Sequence, residues 1–200
     1  MSTRPEPRKL TVIRRKRITP SLQRVTLGGP GLEGFPREQQ GGYLKLFLGE
    51  GENGKPIVRT YTIRHQRDTE LDIDFALHGG NAAGPATRWS LTAEPGDTIM
   101  VGGPGAAKPL PADHDFYLIA GDMTALPAIA VNLSRMPKEA RGVAAIEIQN
   151  DADRVELDKP EGVAIRWLAN REPGTLPDLL VDALRGVALP EGRLAGWAAC

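Results

Sequence analysis

The sequence has a single cysteine, Cys200, at its last position. No internal disulfide can staple the chain, which suits a reducing compartment such as the cytosol. It has 3 histidines and no CxxC, HExxH or clustered His/Cys set, so no protein-bound metal or iron–sulfur site is indicated. Net charge is also missing, since Lys+Arg 25 balances Asp+Glu 25. A neutral chain has no global attraction for nucleic acid, and none is expected as a partner. The one basic run, Arg14-Arg15-Lys16-Arg17, lies between Val12-Ile13 and Ile18 and reads as solvated strand residues. No apolar stretch approaches the ~20 residues of a membrane helix. Met1–Lys9 is polar and has no apolar signal core. A cytoplasmic protein without membrane insertion is expected.

Aromatics are scarce at 5%, whereas Gly 23 and Pro 17 are plentiful for 200 residues. That balance favours many turns between short strands over long helices. Hydrophobic residues make up 40%, enough to fill a core and to exclude global disorder. The length fits two compact domains or one larger one.

The first half reads as β. Leu10–Ile18, Leu22–Leu27, Tyr43–Leu48, Val58–Arg64, Leu71–Leu77 and Asp97–Val101 are strand-like and separated by turn residues. Leu71–Leu77 alternates, with Leu71, Ile73, Phe75 and Leu77 on one face and Asp72 and Asp74 on the solvent side. Six short strands predict an antiparallel barrel. A short helix at Ala86–Ala93 interrupts them, with Pro85 suited to its first turn. The pattern changes after Pro109-Leu110-Pro111. Strands at Phe116–Ala120, Gly142–Ile148, Val163–Leu168 and Leu194–Ala199 alternate with helices at Thr124–Arg135 and Pro177–Leu184. That alternation predicts a parallel α/β sheet. A barrel domain over 1–110 and a nucleotide-fold domain over 111–200 are expected.

Three motifs carry chemistry. In Arg59-Thr60-Tyr61-Thr62-Ile63-Arg64, an arginine can pair with pyrophosphate oxygens, a tyrosine can stack on a flat heterocycle, and a threonine can hydrogen-bond ring nitrogens. Ordinary strand alternation explains the same residues equally well. The run from His78-Gly79-Gly80-Asn81-Ala82-Ala83 through Gly84-Pro85-Ala86-Thr87-Arg88-Trp89 is a glycine-rich loop entering a helix. Free backbone N–H groups at such a start attract phosphate. A loose loop with an ordinary helix start, Trp89 as a core anchor and a surface His78 is the competing reading. Gly121-Asp122-Met123-Thr124-Ala125-Leu126-Pro127 follows a strand and opens a helix, as in the first βα turn of a dinucleotide fold. It is not GxGxxG, and any βα turn capped by Thr124 looks similar.

Taken in order, these pieces resemble the siderophore-interacting proteins, flavin-dependent ferric-siderophore reductases of the ferredoxin-reductase superfamily. Thr19-Pro20-Ser21-Leu22-Gln23-Arg24-Val25-Thr26-Leu27 looks like the family's opening signature, and Arg59–Arg64 matches its R-x-Y-T-x-R flavin motif. Gly84-Pro85-Ala86-Thr87-x-Trp89, Gly103-Pro104 and Gly121-Asp122-x-Thr124-Ala125-Leu126-Pro127-Ala128 match later landmarks. The resemblance runs from about residue 10 to Cys200.

The resemblance implies a six-stranded antiparallel FAD-binding barrel followed by a Rossmann-like nicotinamide-nucleotide domain. It implies electron transfer from NADPH or NADH, through FAD, to a ferric siderophore, with Fe(II) released. Carried over by position, Arg59 contacts the flavin phosphates, Tyr61 stacks on the ring and Thr62 is the catalytic residue near the reacting nitrogen. Arg64 adds positive charge, and His78, Gly84, Ala86 and Thr87 hold the rest of FAD. Gly121, Asp122, Thr124 and Ala125 face the nicotinamide dinucleotide. Lys45 and Lys108 are the candidates for holding the anionic siderophore, and a monomer is implied. Met123 stands where the family usually has Glu. Family members also continue past Cys200 with a helix and a closing tail, so the second domain is expected to be short relative to the family. A flavin- or siderophore-binding module without turnover, and a flavin reductase with another acceptor, are the other function classes. Arg154 could pair with a 2′-phosphate, but Asp151 and Asp153 argue the other way.

Overall fold

The computed structural model describes residues 6–79 and 83–199. Gly80, Asn81, Ala82 and Cys200, named above, lie outside the described residues. The chain divides into two compact units, Met1–Lys108 and Pro109–Cys200.

In the first unit, β1 (Arg8–Thr19), β2 (Leu22–Gly28), β3 (Tyr43–Glu50), β4 (Pro56–Arg67), β5 (Glu70–Ala76) and β6 (Thr98–Gly105) close a barrel in the order β1-β2-β5-β4-β3-β6. Every pairing is antiparallel. Closure removes the exposed edges that a six-stranded open sheet would present. Alternate residues point inward, so Leu10, Val12, Val25, Leu27, Leu44, Leu46, Ile63, Leu71, Ile73 and Phe75 fill the interior. β6 runs on to Gly105 through Gly102-Gly103-Pro104, past the strand Asp97–Val101 expected from the sequence. It stays in the ladder with a register shift, and Gly105 pairs with Tyr43.

Helix α1 (Pro85–Thr92) packs on this barrel through Ala86 and Trp89. The ring of Trp89 lies 5.7 Å from that of Phe75, so it anchors the helix to the core. Arg14, Arg15, Lys16 and Arg17 are all exposed on β1, with Arg14 bonded to Glu70 and Arg15 to Glu94.

In the second unit, β7 (Phe116–Gly121), β8 (Gly142–Ile148), β9 (Val163–Ala169) and β10 (Leu194–Ala199) form a parallel sheet in the order β10-β7-β8-β9. Helix α2 (Leu126–Ser134) connects β7 to β8, and α3 (Leu179–Arg185) lies between β9 and β10. Right-handed crossovers running in opposite directions place these helices on opposite faces. Strand β8 is almost wholly apolar and buried, as a strand covered on both faces must be. The strand order reverses between β7 and β10, which end side by side at Gly121 and Ala199. Crevices at such reversals are where open α/β sheets bind ligands.

Candidate functional site

Strand β4 changes partner midway. Thr62 to Pro56 pair with β3, whereas only Ile63 to Arg67 pair with β5. β5 itself runs on to Ala76, but its residues beyond Ile73 pair with β2 and not with β4. Backbone groups alternate in direction along an antiparallel strand. Ile63 exchanges its N–H and C=O with Gly42 and Gly41 on the β3 side. Thr62 and Thr60 therefore turn theirs to the β5 side, where Thr62 lies beside the last paired residue, Ile63, and Thr60 lies beyond the pairing. An open strand edge of this kind hydrogen-bonds a ligand with both donors and acceptors.

The side chains of this stretch split between two faces. Tyr61 is half-buried, with its ring 4.3 Å from Phe75 and tilted by 36°. Burial pushes its phenol up to about 12, against the opposing charge of Arg59. Thr62 points to the other face, opposite Tyr43. Arg59 is exposed and donates to the carbonyl of Val58 at 2.9 Å. Arg64 is half-buried and forms no ion pair among the described residues. Burial lowers its pKa, and the negative charge of Asp74 opposes that shift.

The neighbouring carboxylates are already occupied. Expected on the solvent side, Asp72 and Asp74 are in fact only 4% and 5% exposed. The register sets Arg24 opposite Asp74, and both Thr26 and His65 opposite Asp72. Arg24 bonds Asp74 at 2.6 and 2.8 Å. Arg67 forks onto Asp72 at 2.6 and 2.9 Å, joined by Thr26 at 2.8 Å and His65 at 3.2 Å. These long side chains cover the carboxylates, which alternation alone does not reveal. Burial by itself would raise the Asp72 carboxyl, but bonds from His65, Arg67 and Thr26 outweigh it and hold it well below the usual carboxylate range.

Helix α1 begins at Pro85, after an extended Gly84 with no side-chain cap. The first intrahelical bond runs from Arg88 N to Gly84 O, leaving the N–H groups of Ala86 and Thr87 outside the helical pattern. Among the described residues, a Cβ on Gly84 would meet nothing within 4 Å. Pro85 and Arg59 line one cleft of about 510 Å³, together with Lys55, Pro56, Ile57 and Glu52. The fold thus joins the first and second motifs at Arg59 and the α1 start. His78 and Lys45 are exposed, the latter opposite Thr60 on the outer barrel face. Lys108 is exposed at the end of the first unit.

In the second unit, Gly121 is packed too tightly for any side chain. An added Cβ would lie 2.7 Å from Ala199 O and 2.8 Å from Ala125 Cβ. Asp122, not Thr124, supplies the side-chain acceptor that holds the turn, and α2 itself, with Ala125 as its N-cap, has no side-chain cap. Asp122 Oδ1 accepts from Thr124 N at 2.8 Å, Thr124 Oγ1 at 2.6 Å and Ala125 N at 3.1 Å. A short polar side chain two residues ahead of a turn does this readily. Met123 is buried. At the end of β8, Asp153 is fully buried in a capping box with Asn150, and Arg154 bonds Asp151 at 2.5 Å.

Two family profiles match the chain. The siderophore-interacting FAD-binding domain matches residues 11–55 and 51–108, and the siderophore-interacting protein profile matches 114–200. The chain belongs to the siderophore-interacting protein family. It is 35% identical over 205 residues to the ferric vibriobactin reductase ViuB of Vibrio cholerae, covering 93% of this chain and 74% of that one. It is 33% identical over 190 residues to the NADPH-dependent ferric-chelate reductase of Escherichia coli, covering 82% and 72%. A siderophore utilization protein from T. fusca superposes with a TM-score of 0.83 at 35% identity, covering 96% of this chain and 80% of that one.

The residues of this siderophore-interacting protein fit a flavin dinucleotide. The cleft holds a cation, Arg59, beside a helix start with two N–H groups to spare and no Cβ in front of it. That is an anion cradle. One and two residues along the same strand follow a backbone edge beyond the β5 pairing and a half-buried aromatic ring.

Proposed function

We propose that this chain is an FAD-dependent reductase that moves electrons from NADPH or NADH to the iron of a ferric siderophore. The observation that carries the reading is the cleft shared by Arg59 and the α1 start, beside the edge of β4 at Thr60, beyond its pairing with β5. When bound, FAD supplies the exchange between two-electron nicotinamide and one-electron iron chemistry, and the protein supplies position and charge.

Arg59 and the N–H groups of Ala86 and Thr87 bind the diphosphate, and Gly84 admits it closely. Tyr61, fixed from behind by Phe75, forms one wall for the ring. Thr62 holds the polar edge of the ring through its backbone and hydroxyl. Arg64, lacking a carboxylate of its own, contributes positive charge, and His78 closes the loop side. Lys45 and Lys108 attract the anionic chelate. In the second unit, the turn Gly121–Ala125 at the strand-order reversal receives the nicotinamide nucleotide. There Asp122 and Thr124 set the shape of the turn, because their polar atoms bond one another. We assign the flavin role to residues 1–110 and the nucleotide role to 111–200. The protein acts as a cytoplasmic monomer in this reading. Among the described residues, no helix is long and apolar enough to cross a membrane.

The test has two stages. Purified protein reconstituted with FAD should bind it and turn yellow, and absence of uptake sinks the proposal. Fe(II) release from a ferric siderophore is then followed with a colorimetric chelator, using NADPH and NADH in turn. Flavin bound without iron reduction points to a binding module, and reduction of other acceptors alone points to a different flavin reductase.

A further inference from the structure

The parallel sheet of the second unit has two ends, and the Gly121 turn occupies only one. At the other end, where β7, β8 and β10 begin, lie two adjoining clefts of about 370 and 260 Å³. Asp113, Tyr117 and Pro137 line both. Tyr117 precedes Gly121 by four residues on β7, a separation of about 13 Å. The clefts are therefore a different place from the turn proposed for the nicotinamide nucleotide.

The smaller cleft is mainly apolar. Half-buried Leu110 and Met136 pack on the cluster around Tyr117, and Pro109, Pro111 and Ala112 add no charge. The segment that forms it is fastened to α2, with Leu110 N donating to Asn132 Oδ1 at 3.2 Å. The larger cleft is charged. Asp115 is committed there, since its Oδ2 accepts from Arg193 N at 2.7 Å and lies 3.9 Å from Arg193 Nε. Arg141, Glu139 and Asp113 are exposed on the same cleft and form no ion pair among the described residues.

A buried hydroxyl stands where the two clefts meet. Tyr117 is only 2% exposed and lines both. Its Oη accepts from His114 N at 3.4 Å, and its own O–H has no acceptor among the described residues. The His114 ring is engaged elsewhere, with Nδ1 donating to Ala112 O at 2.7 Å. A buried O–H donor without an acceptor gains free energy from any ligand that brings one.

We propose that these adjoining clefts bind a free apolar α-amino acid. Its side chain enters the cleft at Leu110 and Met136, its carboxylate meets the Tyr117 hydroxyl and Arg141, and its ammonium faces Glu139 and Asp113. A simple anion would be repelled by those two carboxylates, and a simple cation would leave Arg141 and the buried O–H without an acceptor. A zwitterion with an apolar body answers all of them. The inference stands apart from the flavin reading, because it uses none of the residues on which that reading depends.

Thermal shift and titration calorimetry on the full chain test it, with L-leucine and L-phenylalanine as probes. Both should bind with a Kd below about 1 mM and raise the melting temperature. Glycine has the same head groups without the side chain and should bind at least about tenfold more weakly. Isocaproate, which is leucine without its ammonium, and isoamylamine, which is leucine without its carboxylate, should each lose about tenfold. Tyr117→Phe keeps the buried ring, so the unliganded melting temperature should stay within about 2 °C while leucine binds about tenfold more weakly. Arg141→Gln changes an exposed side chain and should weaken leucine and isocaproate about threefold without affecting isoamylamine. Should Tyr117→Phe fail to fold, that split between isocaproate and isoamylamine decides the matter. Absence of binding by either amino acid up to about 10 mM overturns the proposal. So does binding of isocaproate or isoamylamine as tight as that of leucine, or undiminished affinity in folded Tyr117→Phe.

Discussion

The ring of Tyr61 rests on the ring of Phe75, centroids 4.3 Å apart, and Phe75 in turn touches Trp89 of α1 at 5.7 Å. A residue proposed to face the flavin is thus tied to the barrel core and to the helix whose start would hold the diphosphate. Tyr61 then has two separable jobs. Tyr61→Phe keeps the ring and should shift the melting temperature by no more than about 2 °C, with FAD affinity changed less than about threefold. Tyr61→Ala removes the packing and should cost about 2–3 kcal/mol by urea denaturation, less than a fully buried aromatic. It should also lose most FAD affinity.

Arg64 and Arg67 lie three residues apart on β4 and predict opposite outcomes. Arg67 is committed to Asp72 and Glu70, whereas Arg64 forms no ion pair among the described residues. Arg64→Met should leave stability unchanged or slightly raised, because it removes a half-buried charge that burial disfavours. The same change should weaken FAD about tenfold or more. Arg67→Met should do the reverse, lowering the melting temperature with little effect on FAD. Paired melts and flavin titrations separate the two.

The buried Asp72 sets a pH dependence with a definite sign. Its carboxyl titrates well below the usual range in the folded chain and near 3.9 when unfolded. As pH falls below about 5, the unfolded chain takes up the proton first, so stability is lost progressively. Above that window its contribution is complete and flat. Glu70, held down mainly by its bond to Arg14, adds to the same slope. Asp72→Asn should cost about 2–3 kcal/mol at pH 7, since Arg67 is partly exposed and recovers some solvation. The variant should also flatten the slope between pH 3 and 5, read from urea midpoints across pH.

Two glycines near the proposed ligand ends should behave differently. Gly121→Ala puts a Cβ 2.7 Å from the backbone oxygen of Ala199 and 2.9 Å from Ile129 Cδ1. It should destabilise the second unit by about 1–3 kcal/mol, seen as faster amide exchange in β7 and β10. Gly84→Ala meets nothing within 4 Å among the described residues, at an extended φ of −68°. It should leave the melting temperature unchanged or raise it. If phosphate approaches Gly84, the same variant weakens FAD severalfold, and unchanged affinity would remove Gly84 from the site.

Periodicity made the elements legible. The bounds of β8 and β10 follow directly from the apolar run Gly142–Ile148 and from Leu194–Ala199. The barrel and the parallel sheet followed from strand spacing and from the onset of strand–helix alternation. What periodicity could not carry was pairing at a distance. That Arg24 would cover Asp74 and Thr26 bond Asp72 depends on register between strands some 50 residues apart in the chain, and Arg67 reaches Asp72 across the tight β4–β5 hairpin. That Asp122 rather than Thr124 accepts the N–H groups of the turn ahead of α2 depends on the turn's backbone path.

The sequence by itself determined the two kinds of sheet, the strand carrying Arg59, Tyr61, Thr62 and Arg64, and the family resemblance, because these depend on local pattern and order. The tertiary structure alone decided that β4 and β5 stop pairing beyond Ile63, that Pro85 and Arg59 share a cleft, and that Arg64 stays without the carboxylates its neighbours hold. Each is a consequence of which strand lies beside which, and barrel closure fixes that through contacts no single segment encodes.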